Sequence, residues 1–293
     1  MRRLHQPGPA PAARSESFAA AGRVLDYTLQ PGLSLNAALT APLVAAGMRA
    51  GAIAFGGCEL APFRYVLPGP ARDPAHVAWF SDPHTPRGGP AGCTLVERAN
   101  ATFGWRDGAP FVHCHGVWIE PDGSRHGGHM LPDETFIAAD GPARAWALAD
   151  VAITVDADQE TNFPLFHPVP AAGAAGRGDA ADGPRLIVAR LRPNQDLAVA
   201  IEAVCRRHGV GAATVRGSLG SLIGACFADG REVADHATEV LVRAGTVAPG
   251  PDGAPCATLD LAVVDMEGSV HEGPLVAGEN PVCITFELML EAG

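Results

Sequence analysis

Phe111 to Pro132 reads FVHCHGVWIEPDGSRHGGHMLP, and its centre decides how the flanks are arranged. Glu120-Pro121-Asp122-Gly123 places proline at the second turn position and glycine where a left-handed residue is needed. That is the signature of a type I turn followed by a G1 bulge, the usual three-residue hairpin loop. Such a loop pairs Glu120 with Ser124 and, counting outwards, His115 with His129. His113 and His115 are two apart on one strand and share a face. His129 then stands across from His115 with Cβ atoms roughly 5 Å apart. Three imidazoles therefore converge. Neutral imidazole suits zinc, copper, iron or nickel, and three protein ligands leave a position open for water or substrate. His113, His115 and His129 are thus the candidate ligands of a divalent metal, with zinc as the expected ion. The same register sends His126 to the opposite face beside Trp118, which excludes it as a ligand; a two-residue loop would reverse that parity. Histidines can also merely decorate an exposed sheet, but a His-x-His strand facing a third His across a register-setting turn is more specific. Gly127-Gly128 just before His129 leaves room for close backbone approach, consistent with a pocket.

Outwards from this hairpin the chain reads as a repeat. Residues 168–185, PVPAAGAAGRGDAADGPR, have no large hydrophobe after Val169 and look like a flexible linker. Each side opens with a short apolar strand, Gly22-Arg23-Val24-Leu25 and Leu186 to Leu191. A helix follows in each. The first takes Ser34 as cap and Gly47 as stop, with Pro42 shortening or kinking it; the second takes Asn194 as cap and Gly209 as stop. Ala52 to Cys58 then matches Ala213 to Ser218, and Thr94-Leu95-Val96-Glu97 matches Thr238-Glu239-Val240-Leu241. The hairpin Phe111–Leu131 matches Ala257–Val276, which turns at Met266-Glu267-Gly268. Closing strands reach Asn162-Phe163 in one copy and Thr285-Phe286-Glu287 in the other. In the second copy Thr258, Asp260 and Pro274 replace the three candidate ligands, and His271 corresponds to His126, so this copy should hold no metal. The expectation is an α+β fold: two tandem copies of a mainly antiparallel-sheet domain with a packed helix. The divisions are a disordered tail over 1–17, a metal-site domain over 18–167, the linker over 168–185 and a diverged domain over 186–293.

Composition narrows the function classes. The 293 residues exceed the usual single domain. A net charge of −11 without a basic run disfavours nucleic acid as a partner. No apolar stretch reaches the roughly 18–20 residues of a membrane span, and no signal-peptide apolar core follows Arg2-Arg3. A cytoplasmic location is expected, with no membrane partner. The seven cysteines, odd in number and without a CxxC pair, read as small buried hydrophobes. Gly217-Ser218-Leu219-Gly220-Ser221 only superficially imitates a nucleophile elbow and reads as a turn.

The PDGxxxGGH hairpin with His-x-His before it, the Gly-Gly-Cys or Gly-Ser segment and the Thr-Leu-Val-Glu strand resemble the plant-and-prokaryote-conserved (PPC) domain. That domain also occurs behind AT-hooks in nuclear-localised plant proteins. The resemblance covers most of residues 20–165 and, more faintly, 186–290. It implies an antiparallel α+β fold that trimerises. It also implies the bacterial three-histidine site, here His113, His115 and His129. No Arg-Gly-Arg-Pro hook is present. Arg64 falls where plant members often have an arginine, and could bind an anionic ligand or serve as an ordinary solvated arginine. Glu59 and Glu97 could orient a ligand histidine or act as a base. The reading is a metal-binding protein whose activity is open, with a metal-dependent enzyme on a small molecule as one alternative and a DNA-associated regulator as another. Three chains forming a homotrimer is the expected assembly, with a self-contained monomer as the competitor.

Overall fold

The computed structural model describes residues 1–87, 92–172 and 183–293. Strands dominate these residues, and the α+β expectation is corrected: strand makes up 53% and helix 8%, in two helices of 11 residues each. Helix signals were real but local, whereas the stretches around them alternate or run apolar and pair into sheets.

The main elements of the first half are β1 (Ser15–Ala21), β2 (Arg23–Leu29), α1 (Leu35–Ala45), β3 (Ala50–Phe55), β4 (Thr94–Arg106), β5 (Ala109–Ile119), β6 (Arg125–Met130), β7 (Gly141–Leu148), β8 (Val151–Ala157) and β9 (Pro164–Pro170). Those of the second are β10 (Arg185–Leu191), α2 (Leu197–Arg207), β11 (Ala213–Val215), β12 (Leu219–Leu222), β13 (Thr238–Pro249), β14 (Pro255–Val264), β15 (Val270–Pro274) and β16 (Val282–Ala292). One sheet runs β2-β7-β3-β4-β5-β6 and the other β10-β16-β11-β13-β14-β15. Position for position these are the same order, which is the spatial form of the repeat. The counterpart of β16 is therefore β7, not a strand ending at Asn162-Phe163; Asn162 sits in a turn with φ 64°. The β8–β9 hairpin is an addition of the first half, with β8 touching β4 in parallel.

Both helices start on a side-chain cap. Ser34 Oγ accepts from the Ala37 amide at 3.2 Å, and Asp196, not Asn194, accepts from the Val199 amide at 3.0 Å. Asn194 instead exchanges hydrogen bonds with the Leu4 backbone. Pro42 lies inside α1, which runs on to Ala45, and left-handed Gly47 and Gly209 follow the two helices. Each helix buries an apolar stripe on its own sheet: Leu35, Leu39 and Leu43 in one core, Leu197, Ile201 and Val204 in the other.

The halves also share a core. Ala50, Ala52, Trp146 and Ile153 pack with Leu186, Val188 and Met289. Buried Asn100 donates both amide hydrogens across the junction, to the carbonyls of Ser218 and Val242, each at 2.9 Å. The N-terminal residues, expected to be disordered, are part of this join. Gln6 is buried and donates to the Cys283 carbonyl at 2.8 Å, and β1 pairs along its length with β10. Composition misled because proline-rich chain can be held by partners distant in sequence. Of the expected linker, residues 173–182 lie outside the described residues, while Pro168–Pro170 and Arg185 belong to strands. Cys93 and Cys256 are exposed, contrary to the reading of the cysteines as buried. Gly217-Ser218 turns, but Leu219 to Leu222 is strand. Among the described residues no helix is long and apolar enough to cross a membrane.

Candidate metal centre

The hairpin has the register its turn predicts. Glu120 N donates to Ser124 O, Gly123 has φ 86°, and β6 pairs on β5 with His129 opposite His115 and His126 opposite Trp118. His113, His115 and His129 each offer a nitrogen, and these lie within 4.8 Å of one another. Cys114, between the first two, points into the core against Met130. His126 turns away and meets the Gly268 carbonyl at 3.3 Å. The Gly127-Gly128 pair does not open a pocket. A Cβ on Gly127 would lie 2.6 Å from Val264 Cγ2, and one on left-handed Gly128 2.8 Å from the Val66 carbonyl. The missing side chains let the second half and a neighbouring strand close on the hairpin.

Two carboxylates from the second half complete the cluster. Glu287 Oε1, on β16, lies 2.9 Å from His113 Nδ1. Glu239 Oε2, on β13, lies 2.7 Å from His115 Nε2. The Val240 carbonyl lies 3.1 Å from His115 Nδ1. A carboxylate and a carbonyl can only accept, so both Nδ1 atoms carry their hydrogens outwards. The two Nε2 atoms face each other 3.0 Å apart, and that of His115 also faces Glu239. His129 Nδ1 is buried without a hydrogen-bond partner. Burial, then the nearby His113 and His115, hold the His129 imidazole well below the usual histidine range, so it is neutral. Burial opposes charge on His113 as well, but the Glu287 carboxylate outweighs it and raises that pKa. Glu239 and Glu287 are both buried and, among the described residues, ion-pair only with these histidines. Three imidazoles whose nitrogens converge beside two buried carboxylates are a donor set that suits a divalent cation.

This cluster forms the floor of a cavity of about 330 Å³. Trp79 and Phe80, from a short hairpin pairing Pro68–Pro70 with Ala78–Phe80, form one wall together with Phe163; Phe111 and Phe166 form another. The remaining candidates lie elsewhere. Arg64 Nε is 3.6 Å from Glu134, Glu97 accepts from Arg125 at 2.6 Å, and Glu59 pairs backbone to backbone with Leu95; none lines the cavity. Sequence reading missed Glu239 and Glu287. Their signal was a single carboxylate inside an otherwise apolar strand, as in Thr238-Glu239-Val240-Leu241-Val242.

The family model of the Plants and Prokaryotes Conserved (PCC) domain matches residues 178–292. The second half of the chain is a PCC domain. The match thus falls on the copy in which the sequence resemblance was fainter and which lacks the histidines. No curated protein matches. Among solved structures, the chain is similar to a PCC-family protein of Pyrococcus horikoshii, described as a plant- and prokaryote-conserved protein, at 16% identity over 53% of this chain and 97% of that one, with a TM-score of 0.39. A metal-containing protein of Archaeoglobus fulgidus is similar at 18% identity over 50% and 94% of the two chains, TM-score 0.39. A Salmonella enterica protein is similar at 18% identity over 53% and 99%, TM-score 0.39.

Proposed function

We propose that this chain binds a divalent metal, zinc, through His113, His115 and His129, and acts as a metal-dependent enzyme on a small molecule. The observation that carries the reading is the meeting of three imidazole nitrogens and the Glu239 carboxylate on the floor of a cavity, rather than in a sealed core. A metal held there by His113, His115 and His129 would supply Lewis acidity. Glu287 and the Val240 carbonyl orient the two imidazoles of β5. Glu239 Oε2, in the lining of the cavity, would accept the proton that a substrate hydroxyl or a water loses, the role for which sequence reading had offered Glu59 and Glu97. The aromatic walls exclude bulk water from the exchange. The alternative of a DNA-associated regulator has no support from the net charge of −11.

Covering of the histidine face by the same chain's second half supports a self-contained chain over the homotrimer expected from the family resemblance; light scattering at several concentrations tests this. Metal analysis of purified protein tests the site. His113→Ala or His129→Ala is expected to abolish bound zinc, while His126→Ala keeps it. Equal zinc loss in all three variants would overturn the assignment of ligands.

A further inference from the structure

The cavity has a chemistry of its own beyond its floor. Trp79 and Phe163 lie with ring centroids 5.1 Å apart at 30°, and Phe80 stands 5.1 Å from the His129 ring. Phe111 and Phe166 face each other at 6.1 Å on the other side. Leu165 and Ile284 add to the apolar wall. Above the floor, the polar side chains lining the cavity are Ser221, Thr238, Thr285 and, as its cation, Arg106. Arg106 is already engaged, with its guanidinium 3.6 Å from the Phe111 ring centre and 3.3 Å from Asp133. A sugar or a nucleotide phosphate would leave most of its polar groups unpaired against such walls. The volume, about 330 Å³, stands at the small end of the roughly 300–1,000 Å³ of ligand pockets.

From this we infer that the cavity takes a small molecule with one aromatic or compact apolar body and a single oxygen head group of the carbonyl or carboxylate class. The head group lies on the histidine cluster and the body between the Trp79–Phe80 hairpin and the Phe111–Phe166 wall. The inference rests on the metal reading for its head-group half. The body half rests on wall residues that the metal does not touch, except where Phe80 meets His129. The β5–β6 hairpin supplies the histidines of the floor, while the aromatic cover, apart from Phe111 on β5, comes from the hairpin at 68–80 and the β8–β9 addition. These two segments are therefore the elements that select the body.

Calorimetric titration of the full chain, loaded with zinc and checked by metal analysis, tests this with two probes. Benzohydroxamic acid and acetohydroxamic acid share a zinc-seeking head and differ in the body. The phenyl body is expected to bind about 10- to 100-fold more tightly than the methyl, from the additional apolar area removed from water. Trp79→Ala, at a half-buried position in the hairpin, is expected to erase most of that ratio while leaving the acetohydroxamate affinity in place. Equal affinities for the two probes, or binding of neither to zinc-loaded protein, would overturn the cavity inference and leave the metal site standing. Failure of the chain to take up zinc would overturn both.

Discussion

Glu287→Gln probes whether one site is built from two halves. The carboxylate accepts from His113 Nδ1 at 2.9 Å across a sequence separation of 174 residues. A carboxamide keeps the shape and removes the charge that fixes the imidazole. Partners of metal-bound histidines are worth about 10- to 100-fold in metal affinity. At a free zinc concentration near 100 times the wild-type Kd, binding stabilises the folded chain by about 2.7 kcal/mol. After a tenfold loss the same zinc gives about 1.4 kcal/mol, and after a hundredfold loss about 0.4 kcal/mol. Competition against a chromophoric chelator reads the Kd directly, and urea unfolding with and without zinc reads the stabilisation. A folded variant whose zinc Kd stays within about twofold of wild type, well short of the 10- to 100-fold expected, would show that the second half does not orient the first half's ligands.

Two further outcomes follow from the structure. Glu239→Gln is expected to retain zinc through dialysis; if zinc is lost with it, Glu239 is a fourth ligand, the site is closed, and the enzyme reading fails. Asp158 is buried between Arg190 at 2.8 Å and Arg192 at 2.9 Å; burial alone would raise its pKa, but the Arg190 charge and hydrogen bonds lower it to about 2. Its stabilising contribution, about 2 kcal/mol, is therefore present above the unfolded carboxylate's pKa near 4 and is lost as pH falls towards 2. Comparing urea midpoints of the wild type and Asp158→Asn should show the gap between them narrowing from pH 5 to pH 2; a constant gap would refute the linkage.

What the sequence made legible was local. A bulged turn fixes register by itself, so Glu120-Pro121-Asp122-Gly123 was enough to place His115 opposite His129 and to exclude His126. Ser34 and Gly47 marked a helix because capping is settled within a few residues. Asn194 misled because Asp196 stood two residues on with an equally short acceptor and won the amide. The two carboxylates, the paired N-terminus and the aromatic cover depend on contacts between segments far apart, which no periodicity records. The strand-dominated class was hidden for the same reason: β7, β8 and β9 are recognisable only by what they pair with.

The pairing of β1 with β10 has a consequence for biosynthesis. Ser15 meets Leu191, so β1 leaves the ribosome roughly 170 residues ahead of its partner. At roughly 5–20 residues per second, the nascent chain carries that strand without its neighbour for about ten to thirty seconds. The first half can assemble its own sheet during that interval, but β1, which belongs to the sheet of the second half, presents open edges until that half arrives. Translation speed through the stretch between the halves therefore sets how long that edge stands exposed to other nascent chains.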